Sequence, residues 1–97
     1  MVRALQRASP RDRIDIIATI LAIANGGATR RQILLSSGIS TEQFKRYLFL
    51  LQKTGYIETE EHDNNGYRRI KIYRTTDKGI ALLDPYYNIR ELLVQTD

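Results

Sequence analysis

Apolar residues recur along this chain first at helical steps, then at every second position, then at helical steps again. Ile14, Ile17, Ile20, Leu21 and Ala24 fall three or four residues apart and predict one buried helix face. "SPRD" at 9–12 opens that helix. Ser9 caps, Pro10 suits the first helical position, and Asp12 lies where an acid can reach back to the open amides. Gly26-Gly27 ends it. Thr29 caps a second, short helix with Ile33 and Leu34 toward the core, and Gly38 breaks it after Ser36-Ser37. The third helix starts at Ser40, with Gln43 three residues on in the capping-box position. Ile39 and Phe44 form a hydrophobic staple, Phe44, Leu48 and Leu51 point inward, and Gly55 closes the helix.

The spacing then switches to two. In "YIETEEHDNNGYRRIKIYR", Ile57 and Thr59 alternate with charges, as do Ile70 and Ile72, and "DNNG" between them signals a hairpin turn. One register pairs Ile57 with Ile72 and Thr59 with Ile70. It also sets Glu58 opposite Lys71, Glu60 opposite Arg69 and Glu61 opposite Arg68. Apolar residues then meet on one face and opposite charges meet across the strands. In "TTDKGIALLDPYYNIRELLVQ", Thr76 or Asp77 caps a helix whose face includes Ile80 and Leu83. Pro85 either kinks this helix or opens a new one after Asp84, and Ile89, Leu92 and Leu93 carry a second apolar stripe.

Composition narrows the class. The 97 residues fit one domain, with 42% hydrophobic and 27% charged residues, ordinary for a soluble globular protein. The apolar run Ile16 to Ala24 follows an arginine-rich start, but Asp12 and Asp15 precede it and its periodicity suits a core, so it does not read as a signal peptide. No run reaches the ~20 residues that span a bilayer. Zero cysteines leave neither a disulfide framework nor a thiolate metal site, which is compatible with the cytoplasm.

Charge changes the picture more. The net charge of +4 is unevenly placed: residues 1–55 hold nine Lys/Arg against three Asp/Glu, whereas residues 56–97 hold six against eight. Eleven of the cations are arginine and four lysine. Guanidinium grips phosphate or guanine with paired hydrogen bonds, whereas ammonium acts as a point charge. A basic half suggests a polyanionic partner, most often nucleic acid; a plain solubility charge is the competing reading.

Helix, helix, helix, hairpin, helix is the order of a winged helix-turn-helix, an α+β (mostly α) fold, and "SSGIS" is the short loop such a motif needs between its second and third helices. The chain resembles the winged-helix DNA-binding family on Phe44, Leu48, Leu51, Gly55, Tyr56 and Ile57, on "ATRRQILLSSGIS" upstream, and on "YRTTDKGIALL" downstream. The likeness covers roughly residues 12–83. More narrowly, the chain is similar to small archaeal winged-helix regulators and chromatin-associated proteins, whose last helix pairs with its copy in an antiparallel coiled-coil dimer. The implied division is a basic arm over 1–9, a DNA-binding domain over 10–75 and a dimerisation segment over 76–97.

That resemblance implies a recognition helix at 40–54 entering the major groove by its N-terminal end. Thr41, Glu42, Gln43, Lys45, Arg46 and Tyr47 are the candidates there. Lys45 and Arg46 suit guanine edges, Gln43 suits adenine, and Glu42 accepts only from a cytosine amine or steadies the helix start. Arg30 and Arg31 fall where the second helix meets the DNA backbone; ordinary exposure is the alternative. Arg11 and Arg13 either serve similarly or pair with Asp12 and Asp15. Arg68 and Arg69 at the hairpin tip either reach a groove or are neutralised by Glu58, Glu60, Glu61 and Asp63. His62 reads as a solvated loop residue, with no partner set for a metal. Tyr86, Tyr87, Ile89, Leu92 and Leu93 form either a homodimer seam, the favoured reading, or a surface folded back on Ile14 to Leu21.

Nothing points to catalysis. There is one histidine and no cysteine, and Gly26-Gly27 lacks the Lys-Ser/Thr of a P-loop. The expectation is a homodimeric transcription regulator that binds double-stranded DNA on the nucleoid in the cytoplasm. It needs no cofactor, metal, membrane or small-molecule substrate. A sequence-indifferent architectural DNA binder and a protein-protein or RNA interaction module are the alternatives.

Overall fold

Helix α1 (Arg13–Ile23) is apolar on most of its circumference, so periodicity alone leaves its inward face poorly determined. In the computed structural model, which describes residues 13–63, 66 and 68–96, the core takes Ile16, Ala18, Ile20, Leu21 and Ala24. Ile14, expected in that stripe, is 63% exposed, and Ile17 is half-buried. The expected arm over 1–9, the cap formed by Ser9, Pro10 and Asp12, and Arg11 lie outside the described residues.

Helices α2 (Arg30–Ser37) and α3 (Thr41–Lys53) each begin in a complete capping box. The Gln32 amide donates to Thr29 Oγ1 at 3.2 Å while Gln32 Oε1 accepts from the Thr29 amide at 2.8 Å. Ser40 and Gln43 repeat the exchange, at 3.1 Å in both directions. Each box satisfies two amides that a helix start leaves open. Gly38, at φ 74°, ends α2 in the left-handed conformation and lets the chain turn within three residues into α3. Ile33, Ile39, Phe44, Leu48 and Leu51 are buried, as their spacing predicts.

Strands β1 (Ile57–Asp63) and β2 (Arg69–Thr75) pair antiparallel, as expected, but in a different register. Ile57 faces Thr75, Thr59 faces Tyr73, Glu60 faces Ile72 and Glu61 faces Lys71. The pairing is displaced by three residues from the expected one. An odd displacement exchanges the two faces of β2, so Tyr73 and Thr75 enter the core and Ile70 and Ile72 remain half-buried.

The cause lies outside the hairpin. Tyr73 exchanges backbone hydrogen bonds with Ala28, at 2.8 and 2.9 Å. The Thr75 amide donates to the Ala24 carbonyl at 3.0 Å, and its buried hydroxyl donates to the Leu21 carbonyl at 2.6 Å. β2 is therefore fixed against the end of α1, with the Tyr73 ring edge-on to Phe44 at 5.7 Å between centroids. Ion pairing adapts: Glu60 pairs with Arg74 at 3.2 Å and Glu61 with Arg69 at 2.8 Å. The Arg74 guanidinium also donates to the Gly26 carbonyl at 2.8 Å. Near the tip, the Gly66 amide donates to Asp63 Oδ1 at 2.9 Å, an Asx-type turn, and Asn64 and Asn65 lie outside the described residues.

Helix α4 (Asp77–Thr96) follows at once. Thr76 is its cap, the hydroxyl accepting from the Gly79 amide at 3.2 Å and donating to the Gly55 carbonyl at 2.7 Å. The helix runs through Pro85 as one 20-residue element, so neither a break nor a fresh start occurs at Asp84. A proline costs one helix hydrogen bond, and the ordered turns on either side carry the helix past it. Leu83 is buried against α1, while Ile80, expected beside it, is 39% exposed.

Candidate nucleic-acid interface

What positions the front of α3 is the stripe Phe44, Tyr47, Leu48 and Leu51, all buried. These positions follow i, i+3, i+4, i+7, a full helical face. Tyr47 therefore differs from its expected outward role: at 8% exposure it is part of the core. Its place one residue before Leu48 and three after Phe44 was the signal in the sequence. At about 100° per residue, Glu42, Arg46, Phe49 and Lys53 lie opposite this stripe, with Lys45 at its flank. All five are exposed.

Behind the helix, its C-terminal end is also tied down. The Lys78 ammonium donates to the Thr54 carbonyl at 2.8 Å and lies 4.7 Å from the centre of the Tyr56 ring. The Thr54 hydroxyl donates to the Leu50 carbonyl at 2.8 Å. A cation at the carbonyl end of a helix complements its dipole, so the first turn of α4 steadies the orientation of α3.

The other candidates divide into two groups. Thr41, Lys45 and Arg46 stand exposed on the first two turns of α3, and Gln43 is half-buried with its amide oxygen held by the capping box. Arg30 and Arg31 are exposed at the first two positions of α2, and the Arg30 guanidinium lies over the Phe44 ring at 5.5 Å from its centre. All six lie in the first turns of α2 and α3, and the Arg30–Phe44 contact links the two helix starts. Arg68 and Arg69 lie at the hairpin tip, both exposed, with Arg69 engaged by Glu61.

Electrostatics sharpens the division. Among the described residues the ion pairs join Glu60 to Arg74, Glu61 to Arg69 and Asp15 to Arg90, and His62 Nε2 lies 3.1 Å from the Glu60 carboxylate. The Arg74 guanidinium, and after it His62, hold the Glu60 carboxyl below its ordinary value. Lys45 and Arg46 have no ion-pair partner among the described residues. The hairpin largely neutralises itself, while the α2–α3 corner leaves its positive charge to solvent. Sequence spacing had also left out Phe49 and Lys53, which share the outward face; Phe49 is 66% exposed, with the Lys53 ammonium 5.9 Å from its ring centre.

A second surface lies between α1 and α4. Tyr86 is half-buried, its hydroxyl donating to Asp15 and accepting from Arg90 at 2.9 Å. Desolvation, then the bond to Asp15, raises the Tyr86 pKa. The ring of Tyr87 meets that of Tyr86 edge-on at 5.4 Å. Beyond this clasp Ile89, Leu92 and Leu93 are exposed, and an apolar groove of about 620 Å³ runs between the two helices. The first half of the last helix folds onto α1, as one of the two alternatives has it, and its second half presents an exposed apolar face.

Among the described residues, no cluster of His, Asp and Glu could hold a metal, and no helix is long and apolar enough to cross a membrane. No curated protein matches the chain. Solved structures do. Sso10a-2, a DNA-binding protein from Sulfolobus solfataricus, is 25% identical, with a TM-score of 0.67 over 84% of this chain and 83% of that one. The protein smu.1704 from Streptococcus mutans is 28% identical, with a TM-score of 0.68 over 86% and 80%. A PadR family transcriptional regulator from Eggerthella lenta shares the fold at 22% identity, with a TM-score of 0.76 over 98% and 87%. The winged helix-turn-helix family profile matches residues 10–94, nearly the whole length over which the helices and hairpin have been described, and the chain belongs to that family.

Proposed function

We propose that this protein is a DNA-binding transcription regulator acting as a homodimer. The observation that carries the reading is the exposed pair Lys45 and Arg46, without an ion-pair partner among the described residues, at the front of a helix held from behind by four buried side chains. A major groove admits a helix presented in this way. Arg46 and Lys45 donate to guanine edges, Thr41 and the Gln43 amide nitrogen reach neighbouring bases, and Arg30 and Arg31 take phosphates. Arg68 follows the backbone from the hairpin, with Arg69 held back by Glu61. Residues 10–75 form the binding unit and residues 76–97 the pairing unit, as the apolar outer half of α4 supports. The similarity to Sso10a-2, described as a DNA-binding protein, points the same way.

A gel-shift titration against random-sequence and selected duplexes, each at two salt concentrations, tests the reading. The regulator binds less tightly as salt rises and discriminates among sequences. Salt-dependent binding without discrimination marks an architectural protein instead. Absence of binding even at ~50 mM salt contradicts the DNA reading and leaves an interaction module.

A further inference from the structure

We infer that Phe49 is a specificity residue that contacts the 5-methyl group of a thymine in the major groove. The inference rests on the DNA-binding reading and deepens it. Phe49 is 66% exposed on α3, opposite the buried stripe, in a position where a core helix ordinarily carries a polar side chain. On the same outward face its neighbours one turn away are Lys45 and Arg46 on one side and Lys53 on the other, all exposed cations. An aromatic ring so surrounded is ill suited to a protein partner's apolar surface, which would have to desolvate three charges. It is well suited to a groove whose walls are phosphate and whose floor carries one apolar group, the thymine methyl.

The dimensions agree. Phe49 lies four residues beyond Lys45, about 6 Å along the helix axis at ~1.5 Å per residue, close to two base-pair steps at ~3.4 Å each. A helix lying along the groove with Lys45 and Arg46 on guanine edges therefore brings the ring to a base pair about two steps away. The Lys53 ammonium, 5.9 Å from the ring centre, is one turn further on and falls to the backbone.

The test uses the highest-affinity duplex recovered from a random pool, prepared once with thymine and once with uracil throughout, so that the methyl groups alone are removed. The intact protein binds the uracil duplex more weakly by about fourfold per half-site, the worth of one buried methyl group for each Phe49. The Phe49→Ala variant, altered at an exposed position, binds the thymine duplex more weakly and no longer distinguishes the two. Equal binding of both duplexes by the intact protein overturns the inference while leaving DNA binding in place. So does an undiminished preference in Phe49→Ala. Binding of neither duplex ends the DNA-binding reading and this inference with it.

Discussion

Gly79 packs its bare Cα against the carbonyl of Tyr56: a Cβ there would stand 2.5 Å from that oxygen. It would also stand 2.6 Å from Thr75 Cγ2 and 3.3 Å from Leu21 Cδ2. The first turn of α4 is thereby pressed onto the junction of α3, β1 and α1. In an open helix, replacing glycine by alanine would stabilise by ~1 kcal/mol. Here the overlap with backbone outweighs that gain, and Gly79→Ala lowers stability by about 2 kcal/mol. The urea midpoint checks this, and a raised midpoint would mean that α4 does not lie so close.

Arg46 and Arg30 separate the two kinds of DNA contact. Arg46→Ala costs about 1–3 kcal/mol on the preferred duplex and relaxes sequence choice. Arg30→Ala weakens all duplexes alike and reduces the salt slope by about one per protomer. Titrations of both variants over a salt series measure the difference. Negligible effects from both would remove α3 from the account.

The hairpin carries a pH signature. The Glu60 pKa is lowered, first by its hydrogen bond to Arg74 and then by His62. Unfolding returns it to its ordinary value of 4.5, so the unfolded chain binds the proton more readily. The contribution of Glu60 is present above pH 4.5 and is lost as pH falls through the lower, folded value. Glu60→Gln removes this contribution, so stability above pH 4.5 falls and the acid limb flattens, while stability below the folded value changes little, as thermal melts from acid to neutral pH will register.

Pairing through α4 depends on its outer half, where Ile89 and Leu92 are 59% and 61% exposed. Placing aspartate at both positions buries two charges in any apolar seam and shifts the protein to a monomer. Sedimentation velocity reads the change directly. A variant that sediments as the parent does would exclude this face as the seam.

Much of this fold was legible in local signals. The Thr29-Gln32 and Ser40-Gln43 capping boxes, the Gly38 turn and the buried Phe44, Leu48 and Leu51 are each specified within a few residues. What was illegible depends on distant partners. The hairpin register follows from bonds linking Tyr73 to Ala28 and Thr75 to Leu21 and Ala24, and no pairing rule within the hairpin contains them. The rotation of α1 that leaves Ile14 exposed is chosen by the elements packed on it, since the helix is apolar nearly all round. In the candidate interface, Lys45 and Arg46 were visible as charges. Tyr47 is a residue with a polar hydroxyl on the core phase of the helix, and Phe49 an apolar residue on its outward phase, so residue type alone points the wrong way at both.

The front of α3 as the DNA-contacting surface is tested most directly by amide chemical-shift mapping during titration with a selected duplex. The account predicts the largest changes at Thr41–Lys53 and at Arg30 and Arg31, with α4 little affected. Changes confined to α4 or the hairpin, with α3 silent at saturation, would contradict it.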